Sequence, residues 1–353
     1  MAEKLAGQGA DLLGEERADD VIATSTGASV AKPPALVATN VGSVKRPGDR
    51  VFEFLSTSSA VTISVIIAAV GAFLLWRAVP SLMNNAEGLG GFFTYTGDWN
   101  TADTEAMYFG IPNLLAVTFT VSIVALIIAM PVALGIAIFL SNYAPKRLVK
   151  PLGFLVDLLA AVPSIVYGLW GAKVLGPALS GFFEWINSWG NGFFLFAHYS
   201  NSPSFATSRN MLTGGIVLAV MILPIIAATA REVFVQTPKG HIESALALGA
   251  TRWEVVKLTV LPFGMSGYIS GGMLGLGRAL GETMALYLVV SPSSAFRASL
   301  FDGGTTFATV IANAAPEFNN DIKAGAYIAA GLVLFFLTFL VNAAARAVVN
   351  KKK

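Results

Sequence analysis

An arginine and a glutamate four residues apart, Arg278 and Glu282, stand inside the apolar run GMSGYISGGMLGLGRALGETMALYLVV. Near the centre of a bilayer an unpaired charge costs about 2.5 to 3.5 kcal/mol on insertion scales, so each needs a partner. On a continuous helix this spacing puts both groups on one face, where they neutralise each other when no ligand is present. Two uses fit such a pair: a staple to a neighbouring helix, or a contact to a substrate in a translocation path. Intramembrane ionisable residues usually face a cavity, so we assign Arg278 and Glu282 to a substrate path.

Other chemistry is sparse. There is no GxxxxGK[ST], so the chain binds no nucleotide through a P-loop. It has no cysteine, which excludes disulfides and thiolate metal sites. His198 and His241 both lie outside the apolar runs, and no nucleophile, base and metal set assembles within them. We therefore expect no catalytic residue, no bound metal and no cofactor on this chain. Asp157 lies near the start of another apolar run and reads as structural, while Ser164 and Tyr167 read as hydroxyls bonded to helix carbonyls. Gly267, Gly271 and Gly275 recur every fourth residue, with Gly277 and Gly281 as a second pair. Such rows let helix backbones approach closely.

The elements that must position these residues are membrane helices. Of 353 residues 55% are hydrophobic and 12% charged, far from the balance of a soluble domain. A span needs about 20 apolar residues. Stretches near 59–79, 113–140, 152–176, 211–230, 264–290 and 325–348 satisfy this, giving an all-α membrane protein of about six spans. Residues 1–57 are polar and aperiodic and read as a mostly disordered tail, with no cleavable leader, and 351–353 as a short basic end. Lys and Arg collect at Lys45, Arg46 and Arg50, at Lys146, Arg147 and Lys150, at Arg231, Lys239, Arg252 and Lys257, and at Arg346 and Lys351 to Lys353. By the positive-inside rule both termini are cytoplasmic. The connection 81–111 carries acids and no base, and 181–205 is aromatic, reading as an interfacial helix or re-entrant piece on the other side. A net charge of +2 gives no sign of nucleic-acid binding.

One polar island on the cytoplasmic side has its own fold. In TPKGHIESALALGATRWEVVKLTVLP, residues 237–262, Thr237 is placed to cap a helix with Pro238 at its first position. Ile242, Ala245, Leu246 and Leu248 form a short apolar stripe, and Gly249 supplies a left-handed stop. Thr251 and Glu254 then form a capping box that opens a second helix.

The pattern Glu243, Ala245, Gly249 and Leu261-Pro262 resembles the EAA loop of bacterial ABC-importer permeases. With LLAAVPSIVYGLWG at 158–171, ESALALGATRWEVVKLTVLP at 243–262 and GLGRALGETMAL at 275–286, residues 59 to 350 resemble the permeases of Pst-type phosphate importers, and ETMA resembles PstC rather than its sister PstA. That resemblance implies a type I ABC-importer permease in the bacterial inner membrane, paired with a PstA-like permease. It also implies two PstB-like ATPases, which hold ATP and Mg, and a PstS-like phosphate-binding protein. Glu243, Ala245 and Gly249 would couple to the ATPase, and Arg278 and Glu282 match the charged pair implicated in phosphate passage. Glu282 could accept the hydrogen bond of a phosphate P–OH and repel sulfate, which has no such proton. A permease for sulfate, molybdate or phosphonate, or an ATP-independent secondary transporter, stands as the alternative.

Overall fold

The computed structural model describes residues 47–103, 106–190, 192–293 and 297–350. Most of the expected tail, together with Lys45, Arg46 and Lys351 to Lys353, lies outside these residues. By compactness the chain divides between Val61 and Thr62. In the first unit the described residues form the start of helix α1, Pro47–Met83, so helix begins inside the segment expected as tail.

Among the described residues four helices are long and apolar enough to cross a membrane: α1, Pro112–Tyr143, Met211–Val235 and Asp321–Ala344. A fifth crossing is available from a bent pair, Lys146–Ala160 with Ser164–Gly190, at 88°. We number the helices after α1 as α2 (Gly88–Thr94), α3 (Pro112–Ile138), α4 (Lys146–Ala160), α5 (Ser164–Trp170) and α6 (Gly176–Gly190). They continue as α7 (Met211–Val235), α8 (Lys239–Ala247), α9 (Arg252–Val255), α10 (Leu261–Leu280), α11 (Met284–Val289), α12 (Phe307–Ala314) and α13 (Asp321–Asn350).

The centre of the second unit is α3 against α7. On α3 the buried residues Val117, Val121, Ala125, Ala129, Ala133 and Ala137 recur every fourth position, a ridge of mostly small side chains. On α7 Gly215 lies so close to α3 that a Cβ would be 2.5 Å from Val124, beside this ridge. Lipid tails are as apolar as the helices, so close packing of small residues rather than expulsion of water holds such a pair. Asn210 fixes where α7 starts, its Oδ1 accepting from the Thr213 N–H at 2.9 Å and the Thr213 hydroxyl at 3.0 Å.

Two expected spans are not single helices. The run 152–176 breaks at Val162-Pro163, because proline lacks an N–H and disfavours helical backbone in the residue before it. Beyond this 88° bend the helix resumes at Ser164 and runs through a π-helical turn at Gly171–Leu175 to Gly190. Trp185 and Trp189 lie in the last turns of this second arm, within Gly176–Gly190. The following loop folds back over it, with Phe183 and Phe196 against the buried Phe301 and the His198 ring 4.3 Å from Phe205. Asp157 is exposed on α4, not buried.

The run 264–290 also divides, into α10 and α11 around Gly281 to Thr283. The acidic connection after α1 is ordered too: Trp99 packs, tilted, between Phe109 and Tyr327 of α13, and Arg77 pairs with Asp321 at 2.7 Å.

Candidate functional site

Glycines set the course of α10. Gly264 lies against Phe234, Gly267 against Val233, Gly271 against the Ile226 backbone and Gly275 against Ile226 and Ile222, so the first row is a packing surface on α7. Ile222 sits at the middle of α7, which places Arg278 about one turn beyond the midpoint of that helix. The second glycine pair behaves differently. Gly277 has only Asn342 nearby, and Gly281 ends the helix.

That ending separates the expected charge pair. Because α10 stops at Leu280, Glu282 does not continue the face that carries Arg278. Its carboxylate is 8% exposed, and Oε1 accepts from the Ala285 N–H at 3.1 Å, which fills an open donor in the first turn of α11. A negative group there also suits the positive end of the helix. Arg278 is exposed on the single chain and makes no hydrogen bond or ion pair among the described residues. It lies within electrostatic range of Tyr167. Tyr167 is buried and donates from its hydroxyl to the Leu159 carbonyl at 2.8 Å, the expected partner type. Tyr167 therefore ties α5 back to α4 across their bend. Gly168, the next residue, lets α5 lie on α11, since a Cβ there would be 2.8 Å from Ala285 Cα.

The polar island forms the expected helix, glycine corner and helix. Gly249 has φ +83°, and the Ala250 and Gly249 N–H groups bond the Ala245 and Leu246 carbonyls at 3.1 and 2.9 Å, a Schellman stop. The capping box is complete: the Thr251 N–H donates to Glu254 Oε2 at 2.7 Å, and the Glu254 N–H to Thr251 Oγ1 at 3.3 Å. These bonds hold the Glu254 carboxyl below its ordinary pKa, the backbone bond from Thr251 being the main cause.

Two details differ. Pro238, not Thr237, occupies the cap of α8, because the Thr237 N–H still closes the last turn of α7 on the Phe234 carbonyl. The stripe also splits, with Ile242 and Ala245 half-buried but Leu246 and Leu248 exposed. With Trp253 and Leu258 these leave an exposed apolar set beside the exposed Glu243. Behind it, Val256 and Val260 pack with Phe234, Ala230 and Ile138, so the island is anchored to the ends of α7 and α3. Among the described residues no group of three or more His, Asp or Glu is arranged to hold a metal ion.

A bundle of apolar helices, one broken beside a charged residue and continuous at its other end with a helix–glycine–helix element, is the architecture of an importer's membrane subunit. Residues 132–353 match the family model described as the binding-protein-dependent transport system inner membrane component. The chain is 51% identical over 320 residues to the phosphate transport system permease protein PstC 2 of Mycobacterium tuberculosis, covering 90% of this chain and 97% of that one. It is 37% identical over 305 residues to PstC of Xylella fastidiosa, covering 84% and 89%. Among solved structures, a bacterial ABC transporter involved in the import of the polysaccharide alginate has a similar fold, with TM-score 0.55 at 14% identity over 85% of this chain and 98% of that one. The chain belongs to the family of binding-protein-dependent inner-membrane transport components, and within it to the PstC permeases.

Proposed function

We propose that this chain is one permease subunit of an ATP-driven importer of inorganic phosphate. The observation that carries the path assignment is Arg278, a cation beyond mid-bundle that is exposed on the single chain and has no ion pair among the described residues. Lipid is an unfavourable environment for such a charge, so a second polar surface or a hydrated path must cover it. A PstA-like permease completes that path, and the PstC names of the relatives supply the substrate. Glu282 keeps a second carboxylate oxygen beyond the one that caps α11, available to a phosphate P–OH.

The exposed Leu246, Leu248 and Trp253 with Glu243 form the surface for a PstB-like ATPase, which holds ATP and Mg. Ala245 and Gly249 shape the corner. That end of the bundle faces the cytoplasm, and a PstS-like protein delivers phosphate at the other. Movement of the ATPase passes through α9 into α10, which the glycine row holds rigidly on α7.

The test is ATP-dependent uptake of labelled phosphate by vesicles holding this chain with those partners. Arg278→Gln and Glu282→Gln should assemble and lose uptake by about tenfold or more, the loss of a charge-assisted contact. Normal uptake by both would leave the pair a packing feature. A wild-type complex that moves sulfate and no phosphate would reassign the substrate.

A further inference from the structure

A cavity of about 370 Å³ lies at the opposite end of α7 from the coupling element, bounded by Arg209, α11, the outer end of α3 and the start of α12. Val117, Val121 and Leu286 give it apolar walls, and its polar lining includes Arg209, Tyr287, Thr305 and Asn313. Its formal charge is +1: among the described residues Arg209 is the charged group on its wall, and no carboxylate joins it. The nearby Asp302 is bound elsewhere, accepting from the Gly303 N–H at 2.8 Å and standing 3.8 Å from the Arg297 guanidinium.

Arg209 is incompletely used by the protein. One Nη donates to the Tyr287 carbonyl at 3.3 Å, while Nε is buried and without a hydrogen bond. A buried charged donor left open is costly and is met by an acceptor. Asn313, on the same wall, is exposed and makes no hydrogen bond among the described residues. The floor is kept open by Gly304, where a Cβ would lie 2.8 Å from Val117.

We infer that this cavity is a second oxyanion site, at which phosphate is held by Arg209 and Asn313 before it reaches Arg278 and Glu282. The inference rests on the phosphate-import reading. Its position suits a waypoint: Tyr287 lies on α11, the helix whose first turn Glu282 caps. The helix thus has Glu282 at one end and Arg209 at the other. A tetrahedral anion with several acceptors matches a guanidinium fork and an amide, and the positive wall excludes cations.

The experiment uses the full complex in phosphatidylcholine vesicles, loaded with ATP, and follows uptake against phosphate-loaded binding protein. Arg209→Gln and Asn313→Asp should each raise the half-saturating concentration about tenfold or more, with Arg209→Lys restoring part of the loss. Asn313→Asp is near-isosteric at an exposed position, so folding is not at risk, and its carboxylate both repels an anion and neutralises the Arg209 charge on the same wall. If Arg209→Gln alone impairs uptake, Arg209 merely caps α11 and the site is refuted. Wild-type half-saturation in both variants refutes it as well, while leaving phosphate import intact. An effect of the variants confined to vesicles of anionic phospholipid assigns the cavity to a lipid headgroup and overturns the waypoint. No phosphate uptake by the wild-type complex removes both readings.

Discussion

The coupling element at 237–262 and the broken span at 264–290 are joined without a gap, yet different physics decides their shapes. In the first, the bonds that define the structure connect residues three to five apart: Ala250 to Ala245, Gly249 to Leu246, Thr251 to Glu254. In the second, the decisive contacts come from far along the chain. Gly275 meets Ile222, Gly168 meets Ala285, and the helix gives way at Gly281 within that frame. A corner made of local bonds keeps its shape as a unit while it moves. A break supported from outside places Glu282 and Arg278 according to what packs around them.

The difference has unequal costs when each region is disturbed. At Gly168 the atom a side chain would meet is the Cα of Ala285, which cannot swing aside. Gly168→Leu should separate α5 from α11 and destabilise the permease by roughly 3 kcal/mol, the upper range of overpacking. The loss should appear as a lower aggregation-onset temperature of the purified complex, and an unchanged onset would show that α11 is not held from α5. At Gly249 a Cβ would meet nothing within 4 Å, so only the backbone resists. Gly249→Ala should cost about 1 kcal/mol, the penalty of a left-handed L-residue, and Gly249→Asn less. The readout is hydrogen exchange in 245–252; equal protection in all three proteins would mean that the corner is imposed by its surroundings.

The same contrast explains what was legible in the sequence. The Gly249 stop and the Thr251–Glu254 box were readable because each signal and its response lie within one turn. The first glycine row was readable too, since period four on a helix marks a packing face wherever the partner lies. The break in 264–290 has no such signal: nothing in Gly281-Glu282-Thr283 forbids helix, and the hydrophobicity there speaks for one span. The Pro163 break had a visible cause, but membrane helices also tolerate internal proline, as Pro131 of α3 and Pro224 of α7 do. Nothing in the sequence around Arg209 marks it as more than a charge just before an apolar run. Its buried Nε depends on α11 and on Thr305 and Asn313, about one hundred residues away.

The smallest effect expected tests how local the coupling element is. Its capping box depends on Glu254 being ionised, since a protonated carboxyl is a poorer acceptor for the Thr251 N–H. These bonds depress the carboxyl's pKa in the folded state. The contribution is therefore complete above the unfolded value of about 4.3 and is lost as pH falls through the lower folded one. Hydrogen exchange of 249–256, normalised to intrinsic rates, should stay level from neutral pH to about 4.3 and weaken below it. Glu254→Gln retains an acceptor at the same place, so it should flatten that acid limb while leaving the corner formed. If the substituted protein loses protection in the same acid range, the transition belongs to the packing of Val256 and Val260 on Phe234. The corner would then be held, like the broken span, from outside itself.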